Sequence, residues 1–397
     1  METILVYKIP SLAALCLLSA AAQAQSSVTL YGVVDVAVGH TSESSGVDVP
    51  GGTRVLASRQ SATRMDSGVS AGSRFGLRGV EDLGGGLQAK FQLESGFNVN
   101  NGASTQGGLL FGRMAYVGLA GKSWSLTGGR QLTPMNNAAV ASMALPGGYW
   151  GAISGAVTGS YEPVGATPGG GAFQTGTRAD NSVLFTYTLG PVTANTMVAG
   201  GNQNSQGTGR YGAFVLGYAD GPLKLNAGVS RMRQNREQVI DPDRAEWQTT
   251  WLLGGSYDFG VATLYTGFSQ FNPRKDTSNL SPVATVGAAG ASVNAFTWER
   301  SRIAWVGAKI PLAGGNLLAQ VSRHTYKYQD NDDGRSTTLG VAYDYPLSKR
   351  TAVYASYGQV SNNDRARTPL FSAIPAVSPF GYGSDLRGVS VGMRHTF

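Results

Sequence analysis

His40, His324 and His395 are the chain's three histidines and Cys16 is its single cysteine. These are too few, and too far apart in sequence, for the clustered His/Cys ligands that hold a metal. The glycine runs Gly84–Gly86 and Gly169–Gly171 lack the Lys-Ser/Thr pair of a phosphate-binding loop and do not open a helix. They read as turns and loops. No motif joins a serine to a histidine as nucleophile and base, so no catalytic residue, metal or cofactor is expected. His324 reads as a lumen or rim residue, and His395 belongs to the last strand.

The residues whose spacing does suggest chemistry are charged and alternate. From Leu87 to Glu94, Leu87, Ala89, Phe91 and Leu93 share one face, while Gln88, Lys90, Gln92 and Glu94 share the other. Packing such a face into a dry core is costly; facing it to water costs nothing. Arg74 and Arg78 likewise flank Gly76 on one face, with Phe75 and Leu77 opposite. Fixed charges lining a wet passage select solutes by sign and size.

Such faces need strands to carry them. After the N-terminus no apolar run reaches the roughly 20 residues of a spanning helix, and mean hydropathy is near zero. A closed barrel crosses a bilayer regardless, since every backbone group is paired between strands. Segments of alternating polarity recur along the chain: Val28–Gly39, Ser73–Leu83, Leu87–Gly96, Gly112–Gly121, Trp124–Leu132, Ser182–Leu189, Val192–Asn202 and Tyr211–Tyr218. They continue as Leu223–Gln234, Trp247–Phe259, Ala262–Phe271, Arg302–Leu312, Asn316–Tyr328, Ser336–Pro346, Thr351–Asn362 and Asp385–Phe397. About 16 strands is an even number, as single-chain bacterial barrels require. Short turns such as Leu189-Gly190-Pro191 alternate with long loops, including His40–Gly72 and Thr133–Asn181, as the two rims of such a barrel do. A soluble sandwich or propeller also carries many short strands, but blade signatures and a soluble-type apolar core pattern are absent.

Residues 1–24 read as a cleaved leader: Lys8 in a short n-region, the apolar run Ser11–Ala22, and Ala22-Gln23-Ala24 as the cleavage site. Removing them takes away Cys16, Lys8 and Glu2, so the net charge of +7 is unchanged. The basic residues are spread along the chain rather than clustered, and no nucleic-acid partner is expected. The chain ends in Met393-Arg394-His395-Thr396-Phe397; every second residue back from Phe397 can face lipid, and the terminal aromatic is an expected assembly signal.

Several motifs resemble the general porins of Gram-negative outer membranes, in particular the beta-proteobacterial branch. They include Ser26-Ser27-Val28-Thr29-Leu30-Tyr31-Gly32, Gly72-Ser73-Arg74-Phe75-Gly76-Leu77-Arg78-Gly79, Glu81-Asp82-Leu83-Gly84-Gly85-Gly86-Leu87, Phe111-Gly112-Arg113-Met114-Ala115-Tyr116 and Asp180-Asn181-Ser182-Val183. The resemblance implies an all-β, 16-stranded antiparallel transmembrane barrel over residues 25–397. It also implies a homotrimer among outer-membrane lipids, and a third extracellular loop folded into the lumen. Thr133–Asn181, the longest stretch without strand character, is the candidate for that loop, and its length without structure points to function. Tyr149, Trp150 and Tyr161 would pack it against the wall.

By motif position the resemblance places Arg74, Arg113 and Arg178 on the constriction wall. Arg113 sits opposite in parity to Met114, Tyr116 and Gly118, and Arg178 lies at the end of the long loop. The other reading for each is a structural ion pair or a rim arginine. Arg78 and Lys90 are further lumen bases. Strict alternation puts Arg130 on the outward face of Leu126, where it would clamp a neighbouring subunit or follow a bulge. Within 133–181 only Glu162 and Asp180 are acidic, so Glu162 is the expected counter-charge. The constriction should therefore favour small anions such as chloride, phosphate and carboxylates. A substrate-specific channel is the alternative, and a barrel-based enzyme or adhesin a more distant one.

Overall fold

The computed structural model describes residues 27–44, 60–153, 157, 176–200, 210–233, 247–272, 298–328, 332–366, 368–370 and 383–397. The leader expected at 1–24, and Tyr161 and Glu162, lie outside them. The described chain is almost entirely one antiparallel sheet. Its strands are β1 (Ser27–Glu43), β2 (Gln60–Ser67), β3 (Arg74–Gly84), β4 (Leu87–Gly96), β5 (Met114–Ala120), β6 (Trp124–Leu132) and β7 (Arg178–Leu189). There follow β8 (Val192–Ala199), β9 (Tyr211–Asp220), β10 (Leu223–Arg233), β11 (Trp247–Asp258) and β12 (Thr263–Asn272). The last are β13 (Trp298–Leu312), β14 (Gly315–Tyr328), β15 (Gly334–Pro346), β16 (Thr351–Asn362) and β17 (Leu386–Thr396).

From β3 onward each strand pairs with the next, and β17 pairs with β1 from Val33↔Thr396 to Glu43↔Leu386. The sheet is thus closed and no edge is left to satisfy in lipid. β3 pairs with Ser27–Val33 of β1 and β2 with Val36–Glu43. They occupy one wall position in two pieces, giving a 16-strand barrel. The expected loop over His40–Gly72 is corrected here: it contains the end of β1 and all of β2.

The break between β2 and β3 is stitched to Asp35, which is fully buried. Its carboxylate accepts from the N–H of Ala71 at 3.1 Å and of Ser70 at 3.4 Å, and from the Tyr354 hydroxyl at 2.7 Å. The Gly68 N–H donates to the Asp35 carbonyl at 3.0 Å. The buried acid thus takes the place of the ladder bonds that the break removes.

Alternation sets the two faces. Val38, Val117, Leu253 and Val391 are exposed, while Ala37, Leu252 and Ser390 on the opposite faces of β1, β11 and β17 are buried. The exposed apolar set is the lipid-facing side and the more polar, covered set lines the inside. The turn after β3 closes on Gly85 and Gly86, both with φ near +60 to +80° (62° and 80°), a backbone that glycine takes without strain. The connections on that rim are short; the long ones leave from the other rim.

Candidate pore constriction

Residues 133–153 leave the end of β6 and run along the inner face. They begin with a helix, α1 (Pro134–Ala141). The Thr133 hydroxyl accepts from the Asn136 N–H at 3.2 Å and Pro134 takes the first turn, a cap and start that satisfy the free N–H end. The expectation of a stretch without secondary structure is corrected to that extent.

Beyond α1 the segment is bonded to successive wall strands. The Trp305 indole N–H donates to the Ser142 carbonyl at 2.7 Å, and the Ala144 N–H to Gln320 Oε1 at 3.2 Å. Tyr149 donates its hydroxyl to Asp344 at 2.6 Å and accepts from Ser70 at 3.0 Å. Burial, followed by that bond to Asp344, pushes the Tyr149 phenol up, so it remains a donor at neutral pH.

Packing explains the path. Several wall residues under the segment are inward-facing glycines. A Cβ added at Gly228 would come within 2.7 Å of Met135 Sδ, at Gly254 within 2.7 Å of Ser142 Cβ, and at Gly307 within 2.7 Å of Ala144 Cβ. At Gly340 it would meet Leu145 at 2.5 Å, and at Gly388 the ring of Trp150 at 2.3 Å. Glycine within a strand often marks such a close approach. Two apolar clusters complete the seat. Met135, Ala138, Ala139 and Met143 pack with Met197, Val215, Leu252 and Trp305, and Leu145, Tyr149 and Trp150 with Val69, Tyr354 and Leu370.

The charged groups gather on β3–β7. Glu94 on β4 is 6% exposed. It pairs with Arg113 Nε at 2.7 Å and Arg74 Nε at 3.6 Å, and accepts the Tyr31 hydroxyl at 2.8 Å. Gln92 holds Tyr31 from the side at 2.6 Å and itself accepts from Tyr116 at 2.9 Å. Arg178, the first residue of β7 and 7% exposed, donates Nε to the Arg113 carbonyl at 2.8 Å. The charges acting on it are those of Arg113, Arg130, Glu94 and Arg74. Arg74, Arg113 and Arg178 are therefore brought together.

Arg113 reaches this group by an unexpected route. Val117 and Leu119, which share its parity, are exposed, whereas Tyr116 bonds to the inward Gln92. Strand alternation alone would turn Arg113 outward; it lies just before β5, where the strand geometry no longer binds it. The expectation that Tyr116 faces away from the charged side is corrected.

Arg78 lies over the Tyr31 ring at 5.0 Å, and Lys90 occupies the Gln92 face of β4. Arg130 follows a bulge, with the β6–β7 register shifting between Gly129 and Gln131. It donates Nε to the Gly112 carbonyl at 2.7 Å and pairs with Asp180.

Sequence reasoning overlooked Glu94 as a counter-charge, although its alternation with Gln92 and Lys90 placed it on the right face. It also overlooked Arg394, which pairs with Asp344 at 2.8 Å and bonds Ser70. Parity was the available signal: Arg394 is opposite the exposed Val391 and Met393. Phe397 closes the ring, its N–H donating to the Gly32 carbonyl at 3.1 Å and its carbonyl accepting from Gly32 at 3.0 Å.

A family model described as Gram-negative porin matches residues 11–365. An outer membrane porin protein of Bordetella pertussis is 30% identical, covering 95% of this chain and 96% of that protein. Outer membrane porin protein 32 of Delftia acidovorans is 30% identical over 98% and 99%. Among solved structures, an anion-selective porin from Comamonas acidovorans matches with a TM-score of 0.71 and 26% identity, covering 94% of this chain and all of that one.

Proposed function

The chain belongs to the Gram-negative porin family, and from that premise we infer that its lumen narrows at Arg74, Arg113 and Arg178 and passes small anions in preference to cations. It is an outer-membrane β-barrel that works as a diffusion channel and not as an enzyme. The finer reading concerns what the channel selects.

One observation carries it. Arg74 and Arg113 share the carboxylate of Glu94, and Arg178, beside them, bonds a carbonyl rather than an acid. Arg130 and Arg394 each have their own acid, Asp180 and Asp344. Among the described residues the cluster therefore keeps a positive excess, as an anion-favouring constriction needs. The anion-selective porin of Comamonas acidovorans supports the same sign. Residues 133–181 are taken as the constriction loop facing this wall, with Glu162 as a further counter-charge on it. The permeant class is chloride, phosphate and small carboxylates. Assembly as a homotrimer in outer-membrane lipid, after loss of residues 1–24, completes the proposal and rests on the sequence resemblance.

The test is bilayer conductance of the refolded chain, with the reversal potential read in a KCl gradient. Stepwise currents with a chloride-favouring potential are expected. A potassium-favouring potential would overturn the selectivity while leaving the channel intact. The mass of the detergent-solubilised native protein separates trimer from monomer.

A further inference from the structure

Between the end of β2 and the start of β3, residues 68–73 form a short link folded back on itself. Gly68 turns the chain at φ 78°, and a Cβ there would come within 3.0 Å of Gly72 Cα. One residue of β1 holds both ends. The Gly68 N–H donates to the Asp35 carbonyl at 3.0 Å. Ser73 Oγ accepts from the Asp35 N–H at 3.0 Å and donates to the Asp35 carbonyl at 3.1 Å. The Asp35 carboxylate takes the Ser70 and Ala71 N–H groups in the middle. A packed link pinned in this way transmits strain rather than absorbing it.

One side of the link carries the inner segment. Gly148 lies against its backbone, where a Cβ would come within 2.5 Å of the Val69 and Ser70 carbonyl oxygens. Val69 packs with Leu145, Tyr149 and Trp150. Ser70 Oγ donates to the Tyr149 hydroxyl at 3.0 Å, and Tyr149 donates to Asp344 at 2.6 Å. Arg394 bonds both Ser70 and Asp344.

The other side carries the arginines. The Gly72 carbonyl accepts from Arg74 Nη1 at 2.9 Å. A Cβ on Gly72 would lie 3.2 Å from Arg113 Nη1 and 3.9 Å from its Cζ, so a side chain there would push the guanidinium aside. Gly72 thus touches both arginines that share the Glu94 carboxylate. Ser70 and Gly72 are so near in the chain that the two sides are at most about 7 Å apart along the backbone.

We propose, on the reading that Arg74, Arg113 and Arg178 form the constriction, that residues 68–73 couple the seat of the inner segment to the arginine cluster. Tyr149 and Ser70 are then positioning residues for selectivity, acting through Gly72. Coupling between sites travels through packed and hydrogen-bonded groups in contact with one another, and every step from Tyr149 to Arg113 is such a contact or a covalent one. Tyr149 and Ser70 are both buried, so they act on a permeating ion only through the groups they position.

The experiment is the reversal potential of the refolded full chain in a KCl gradient, for wild type, Tyr149→Phe, Gly72→Ala, their double variant and Arg113→Gln. Tyr149→Phe removes one hydroxyl and no charge. It should lower the chloride-to-potassium permeability ratio about twofold, the lower end of effects transmitted through such contacts. Gly72→Ala, which needs no left-handed backbone, should lower the ratio by displacing Arg113. The double variant should fall short of the product of the two factors, because both changes reach Arg113 through one link. Ser70→Ala cuts the same step from the other side and repeats the test if Tyr149→Phe does not fold. A wild-type ratio in Tyr149→Phe and Ser70→Ala, with Arg113→Gln shifted, would overturn the coupling and leave the constriction standing. Factors that multiply in the double variant would do the same. A wild-type ratio in Arg113→Gln would sink the constriction reading itself, and the coupling with it.

Discussion

At Glu94 a single carboxylate is asked to balance two guanidiniums directly, with a third beside them. Glu94→Gln keeps the side chain's shape and an oxygen that can accept from Tyr31, but removes the charge. The expected result is a larger chloride preference, read as a reversal potential moved further toward chloride. Arg113→Gln should move it the opposite way. A unit charge about 4 Å from a passing ion in a water-like medium is worth about 1 kcal/mol, so each change should alter the permeability ratio about fivefold. Arg130 supplies the internal control. Its guanidinium is spent on Asp180 and the Gly112 carbonyl, so Arg130→Gln should loosen the bulge between β6 and β7 and lower the unfolding temperature. Its effect on the reversal potential should be smaller than that of Arg113→Gln.

Among the elements, the loop segment and the wall beneath it have matched shapes. Trp150 lies where Gly388 and Gly358 have no side chains, and the residue is 2% exposed. Gly388→Leu would drive atoms into that ring, and Trp150→Ala would vacate its seat. Removing a buried tryptophan costs about 3–5 kcal/mol. Here the closed sheet keeps its own ladder bonds, so the cost should fall on the segment rather than on the barrel. Both variants should fold, yet show noisier single-channel currents and faster proteolysis within residues 133–153. Quiet wild-type currents from Trp150→Ala would mean that the remaining anchors, among them the Trp305–Ser142, Gln320–Ala144 and Tyr149–Asp344 bonds, fix the segment without it.

The same elements show what could be read from sequence and what could not. β4, β6 and β16 were legible to the residue, because Leu87–Gly96, Trp124–Leu132 and Thr351–Asn362 are bounded by turns and alternate between apolar and polar. β2 was not, since QSATRMDS exposes Ser61, Thr63 and Met65 near the rim, where lipid no longer demands an apolar face. α1 was passed over in the sequence, although Thr133-Pro134 offers a cap followed by a helix-starting proline. Arg130 was ambiguous for a physical reason: one bulge reverses parity, and nothing local in Gly128-Gly129 says which strand carries the extra residue. The glycines under the segment were visible in mid-strand, but only the folded barrel shows what approaches them.

For the molecule as a whole, closure and charge are the remaining determinants. Phe397 joins the last strand to the first through its two backbone bonds to Gly32, and its ring covers that glycine. Deleting it should lower the yield of folded barrel in outer membranes, measured by heat-modifiable gel migration. The net charge of +7 is a different kind of feature, because it is spread over the whole chain while the constriction is local. Salt separates the two. Charges on loops and rims act on an ion over the Debye length, about 30 Å at 0.01 M but only about 3 Å at 1 M. An ion passing Arg74, Arg113 and Arg178 meets them at contact range, where salt screens less. The chloride preference should therefore fall as KCl rises from 0.01 M to 1 M, yet not vanish. In Arg113→Gln the low-salt part should persist, since the remaining charges still supply it, while the preference at 1 M shrinks. If the variant and wild type gave the same ratio at 1 M, the selectivity would belong to the molecule's overall field, and the arginine cluster would be a structural feature of the wall.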